Sequence, residues 1–242
     1  MLDALQSNRA YLLEKVFLCC CLLVLAPMSG IAQTPEGVVP ITSEPDHKIR
    51  FDNGKVRMYE VVLPKGKATL WHEHRADSFT VFFRTADVTN EPFRGKPLVL
   101  QRTPGSVGFN STAKGPYSHR VTASGDTTFH VIALELLDAQ PSGSASVGQR
   151  SSAAYKVVVE NPRGRAYRLT LNPGESTAAF TRPGNTALFA ISSGRISEQP
   201  EGKAPRLWDF EPAHFRWFET GEKLSLKNES SSAIELVEIE IY

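Results

Sequence analysis

Beyond residue 55 the chain is written in short apolar runs that never hold a helical period, and this narrows its fold more than any other feature. VRMYEVVL (56–63), FTVFF (79–83), PLVLQR (97–102) and FHVIALELL (129–137) are rich in β-branched and aromatic residues. Turn-forming pieces such as PKGK, GKP, TPGS and ASGD separate them. Such runs read as strands and such pieces as turns. Around 138–153 the text changes to DAQPSGSASVGQRSSA, a small-residue polar linker with little to add to a core. The β pattern then resumes with YKVVVENPRGRAYRLTLNPGES and closes on AIELVEIEIY (233–242). The expectation is an all-β chain with two tandem units, 33–139 and 154–242, joined by a linker at 140–153.

The two halves repeat each other. Each carries an apolar strand, a proline–glycine turn (Pro64 and Gly66; Pro173 and Gly174), a second strand, a hairpin and a last strand behind a small polar turn. Aligning Gly66 with Gly174 places Phe180 and Arg182 where the first half has His72 and His74, and Leu224 where it has His119. Phenylalanine and leucine cannot coordinate a metal, so the second half is expected to be a structural partner.

The first 32 residues read as an export signal. Arg9, Glu14 and Lys15 precede the apolar run VFLCCCLLVLA (16–26), which is short for a membrane span, and Gly30 and Ala32 offer small residues before a cleavage point at Gln33. The expected location is therefore extracytoplasmic, periplasmic or secreted, with no membrane contact after cleavage. All three cysteines, Cys19, Cys20 and Cys21, lie in that run. A mature chain would have no thiol, which excludes disulfides, thiolate nucleophiles and cysteine–zinc sites. The 27 basic and 26 acidic residues leave a net charge of +1, with no basic stripe to suggest nucleic acid. A small molecule in a pocket is the expected partner.

The chemistry concentrates at WHEHRADSF (71–79). Side chains alternate along a strand, so His72 and His74 share a face and Glu73 points the other way. Neutral imidazoles suit Zn, Fe, Ni, Cu or Mn, and a distant third histidine brought in by a barrel would complete a site. His119, in PGSVGFNSTAKGPYSHRVTASGD (104–126), sits behind a proline–glycine turn and is that third candidate. Imidazoles of ordinary basicity would release such a metal below about pH 6. His130 alternates with Ile132, Leu134 and Leu136 and reads as a hydrogen-bonded core histidine, with an outer contact to the site as the alternative. His47 and His214 have no partner in sequence and read as surface or packing residues. Trp71, Phe79, Phe83 and Tyr117 read as barrel core, with an apolar wall for a substrate as the alternative. Arg75 and Arg120 neighbour the ligands but are expected to point outward.

These motifs resemble those of the cupins, and the whole chain resembles a bicupin of the small quercetin-dioxygenase-like type. Gly66, five residues and His72–Glu73–His74 match the family's first motif, and His119 behind its turn matches the second. The resemblance implies two tandem jelly-roll (double-stranded β-helix) barrels, a metal-binding one at 33–139 and a degenerate one without ligands at 154–242. It implies one divalent transition metal, Fe, Mn, Ni, Cu or Zn. It also implies oxygen-dependent or isomerising chemistry on a small organic molecule, with a non-catalytic metal- or ligand-binding module as the alternative, and it leaves a homo-oligomer open. The chain departs from the family at the metal-binding glutamate, where it has Ser78 preceded by Asp77, and the spacing from Gly105 to His119 is longer than usual. Asp77 shares the face of Phe79, Val81 and Phe83. If those line the barrel, the carboxylate points inward and is the fourth candidate ligand.

Overall fold

The strand runs fold much as their period requires, and what matters for the site is which face of each strand goes where. The computed structural model describes residues 34–138, 150 and 152–242. The expected export signal and most of the expected linker lie outside those residues. Residues 34–242 form one compact unit.

The first half contributes β1 (Val39–Pro40), β2 (His47–Asp52), β3 (Val56–Leu63), β4 (His72–His74), β5 (Asp77–Phe82), β6 (Ala86–Pro92), β7 (Leu98–Arg102), β8 (Val107–Asn110), β9 (Tyr117–Ala123) and β10 (Phe129–Leu136). They form two five-stranded sheets, ordered β1-β4-β9-β6-β7 and β2-β3-β10-β5-β8. The second half contributes β11 (Tyr155–Asn161), β12 (Gly164–Leu171), β13 (Phe180–Thr181), β14 (Thr186–Ala190), β15 (Gly194–Pro200), β16 (Arg206–Phe210), β17 (Phe215–Phe218), β18 (Lys223–Asn228) and β19 (Ile234–Ile241). Their sheets run β11-β12-β19-β14-β17 and β13-β18-β15-β16. Each half is a jelly-roll barrel, a pair of sheets closed over its own core. Val61, Phe82, Val88 and Val131 fill the first, and Leu169, Leu188, Leu226 and Leu236 the second.

A third core lies between the barrels. Val56, Met58, Phe79, Val81, Phe83, Ile132, Leu134 and Leu136 of the β2-β3-β10-β5-β8 sheet pack on Ala166, Ala187, Phe189, Val237 and Ile239 of the β11-β12-β19-β14-β17 sheet. The central strands β10 and β19 are buried on both faces; β10 accordingly reads as a nearly continuous apolar run, whereas β19 alternates and buries Glu238 and Glu240, which pair with Arg150. Each fully buried Ile or Leu there contributes about 1.5–3 kcal/mol relative to an exposed one. The second barrel therefore covers an apolar face that the first would otherwise present to water.

The repeat holds at the level of register. Gly66 and Gly174 both take a positive φ, 77° and 73°, where a residue with a Cβ would be strained. Thr69 and Thr177 accept the backbone N–H of Val121 and of Leu226 on their hydroxyls, at 3.0 and 2.9 Å. His72 pairs with His119 across β4 and β9, and Phe180 pairs with Leu224 across β13 and β18.

Candidate metal centre

The β4–β9 ladder creates the site. It sets His72 opposite His119 and His74 opposite Tyr117, so the two histidines of one strand meet the third from its neighbour. Glu73 turns the other way and pairs with Arg75 at 2.5 Å, as alternation requires. One ring nitrogen from each of His72, His74 and His119 falls within 4.8 Å of the others. The Nε2 atoms of His74 and His119 are 3.0 Å apart. Two nitrogens each about 2.0–2.1 Å from a single ion have about that separation. The Nε2 of His72 is buried with no hydrogen-bond partner.

The opposite ring nitrogens set the tautomers. His119 Nδ1–H donates to Asn90 Oδ1 at 2.7 Å, and His72 Nδ1–H donates to the Leu70 carbonyl at 3.0 Å. With Nδ1 carrying the proton, each Nε2 presents a lone pair to the centre, the form that binds metal. His74 Nδ1 faces the Glu135 carboxylate, 3.9 Å away, and the His74 ring stacks on Tyr117 with centroids 4.7 Å apart and planes 7° off parallel. The donor set and its orphaned nitrogen fit a transition-metal ion.

Burial dominates the electrostatics. It brings His72 down to about 4 and His119 down to about 3, and it holds His74 well below the usual imidazole range, with the neighbouring histidines adding to the effect. All three are neutral at physiological pH. Burial also pushes Glu135 up to about 7, against the pull of Arg57 and of its hydrogen bond with Tyr59. Relative to the solvated imidazole behind the expected metal loss near pH 6, burial makes protons weaker competitors for these ring nitrogens.

Asp77 is the clearest correction. Phe79, Val81 and Phe83 face the second barrel rather than the interior of the first, and Asp77 goes with them. Its carboxylate lies 3.3 Å from Arg163 Nε and accepts the backbone N–H of Thr112 at 2.7 Å and its hydroxyl at 3.1 Å. Thr112 belongs to the long connection between Gly105 and His119, so the added residues of that loop hold the carboxylate away from the histidines. Asp77→Asn is expected to leave metal content unchanged and to cost about 1 kcal/mol in stability, read by elemental analysis and thermal unfolding. A large loss of metal would restore Asp77 as a ligand.

The remaining candidates sort cleanly. His130 bonds Glu60 at 2.9 Å and touches the Phe83 ring, outside the triad. Arg120 pairs with Glu91 and covers Trp71, pointing outward. His214 lies on the surface. His47, read from sequence as a surface or packing residue, stands against His72 with ring centroids 4.6 Å apart and binds Glu44 at 2.6 Å. Glu44 is buried, which opposes its ionisation, yet His47 and the N–H groups of Leu70 and Asp46 bring its carboxyl down to about 2. It thereby fixes the segment whose Leu70 carbonyl orients His72. Sequence reasoning missed Glu44, His47, Asn90 and Glu135, since only strand register brings them to the histidines.

The triad opens on a cavity of about 220 Å³ inside the first barrel. Phe82, Phe109 and Phe129 supply its aromatic wall, whereas Trp71, Phe79 and Phe83 do not line it. Thr80, Asn90, Asn110, His47 and Arg102 are polar members of its lining.

In the second barrel the equivalent place is filled by charge. Arg182 is 1% exposed, lies over Phe218 at 4.0 Å, and approaches Glu238 at 3.6 Å. Arg150, from the stretch read as linker, is also buried. It stacks over Phe180 at 3.8 Å and pairs with Glu238 and Glu240. Composition gives the stretch little to add to a core, and Arg150 is the residue through which it reaches one.

The fold and the site together define a class. The chain has the bicupin fold, two cupin barrels in tandem, with the histidine triad in the first. It aligns with AerE from Microcystis aeruginosa at a TM-score of 0.60 and 13% identity, over 82% of this chain and 98% of that one. A cupin 2 conserved barrel domain protein from Leptotrichia buccalis aligns at 0.50 and 11%, over 80% and 87%. The Bacillus subtilis oxalate decarboxylase, a protein with Mn(II) centres, aligns at 0.52 and 12%, over 78% and 70%. No family model matches the sequence, and no curated protein matches it.

Proposed function

We propose that the first barrel is a mononuclear metal site acting on a small organic molecule, and that the chain is an exported metal-dependent cupin enzyme. The observation that carries this reading is the meeting of three oriented imidazoles at the wall of an apolar cavity. A bound Fe, Mn, Ni, Cu or Zn would supply Lewis acidity and a template for the substrate. His72, His74 and His119 would hold it, with Asn90 and the Leu70 carbonyl fixing two of the rings. The phenylalanine wall excludes water, which strengthens polar interactions at the centre. His47, held by Glu44, stands beside His72 on the cavity wall and can take or give a proton there. The Mn(II) of the oxalate decarboxylase adds weight to manganese among the candidate ions. Export rests on the apolar run ending at Ala26 and the small residues before Gln33.

A non-catalytic binding module is the second reading, favoured by one observation. Among the described residues no aspartate or glutamate lines the cavity, and the carboxylate nearest the motif's glutamate position in sequence, Asp77, faces elsewhere. Elemental analysis of the purified protein, N-terminal sequencing of exported material, and oxygen uptake with flavonols and small phenolics test these readings. One metal per chain with turnover supports an enzyme. One metal without turnover across the panel supports the binder, and a metal-free chain overturns the metal-dependent enzyme.

A further inference from the structure

Among the described residues that line the cavity, Arg102 is the one that carries a permanent charge. Arg102 ends β7 with its guanidinium over the Phe82 ring at 4.7 Å, and its Nε is buried with no hydrogen-bond partner. Burial lowers its pKa, and among the described residues no carboxylate forms an ion pair with it. Four other arginines of the first barrel are committed, Arg57 to Asp52, Arg75 to Glu73, Arg120 to Glu91 and Arg50 to Glu60, while Arg84 and Arg94 are exposed to solvent and off the cavity wall. A guanidinium stays charged at any physiological pH, and its planar fork matches a carboxylate. Holding it half-buried and unpaired costs stability that a bound anion would return.

Its position limits what that anion can be. In the β6–β7 ladder Arg102 lies opposite Ala86, whereas Leu98 lies opposite Asn90, the residue that orients His119. Four residues separate the two ends, about 13 Å along the strands. Val88, Leu100 and Phe82 line the cavity on this side. A two-carbon diacid is too short to join the two ends.

We infer that Arg102 anchors the carboxylate of a monocarboxylic acid whose apolar body runs along the cavity towards the histidine triad. The far end of this assignment rests on the metal reading above, but the anchor itself does not. Titration calorimetry on the full chain with phenylpropanoate and hexanoate, against their amides, tests it for wild type, Arg102→Gln and Arg102→Lys. Metal content and thermal unfolding are measured on each. The acids should bind wild type, and their amides should bind about 10- to 100-fold more weakly. Arg102→Gln should weaken acid binding by a similar factor at unchanged metal content, and Arg102→Lys should retain part of it. If Arg102→Gln fails to fold, the lysine variant and the acid–amide contrast on wild type decide. Equal affinity for acid and amide, no binding of either acid to wild type, or undiminished acid binding to a folded Arg102→Gln would overturn the anchor. Arg102-dependent acid binding by a wild type that holds no metal would support the anchor and overturn the metal reading, so the two fail separately.

Discussion

Replacing His72, His74 or His119 by alanine is expected to abolish binding of the one metal ion proposed for the first barrel. Each supplies one of three converging nitrogens. Losing an outer partner of a ligand costs about 10–100-fold in metal affinity, and losing a ligand should cost more than about 100-fold. The second barrel offers no replacement, since Phe180, Arg182 and Leu224 stand at the equivalent places. Two tight metals per chain, or a triple variant that still binds stoichiometrically, would refute the triad.

The same histidines set a pH dependence in the metal-free protein. Their folded pKa values are depressed, with His72 at about 4 and His119 at about 3, against 6.5 for a solvated imidazole. Between those values the unfolded chain binds more protons than the folded one, so stability rises with pH through that window. The metal-free protein should be fully stable above about pH 6.5 and should lose stability as the pH falls towards 4. His72 alone accounts for about 3 kcal/mol of this loss. Denaturant unfolding at a series of pH values reads the slope, and a His72→Ala/His119→Ala chain should show a flatter one. An unchanged slope in that variant would show that other groups control the acid response.

Arg182→Leu should be among the most destabilising single changes in the second barrel. Arg150, Arg182, Glu238 and Glu240 form a buried cluster of two cations and two anions. Removing one cation leaves an uncompensated buried carboxylate, which costs about 3–5 kcal/mol. For a unit of this size that lowers Tm by roughly 10 °C. The paired change Arg182→Leu with Glu238→Met leaves Arg150 with Glu240 and should recover most of the loss, since apolar replacements of buried ion pairs are often neutral or better. Metal content should be unaffected in both. A single variant with unchanged Tm would mean that the cluster is solvated and carries no such penalty.

The β architecture, the duplication and the three histidines are legible in the residues alone, because each depends on local spacing. The alternation of a strand places His72 and His74 on one face, and turns at Gly66 and Gly174 mark equivalent points in the two halves. The alignment that removed the ligands from the second half survives in the matching registers of His72 with His119 and Phe180 with Leu224. Which face of β5 turns inward is set by packing between the sheets. Phe79, Val81 and Phe83 are as apolar as an interior row should be, yet they meet the second barrel, while Thr80 and Phe82 line the cavity. Alternation separates the two faces of a strand but cannot say which layer each will meet when both are buried. Asp77 therefore left the site. Register across strands brought in what spacing could not show: Asn90 behind His119, Glu44 and His47 beside His72, Arg102 at the far end of the cavity, and Arg150 from an unpromising polar stretch into the second barrel's core.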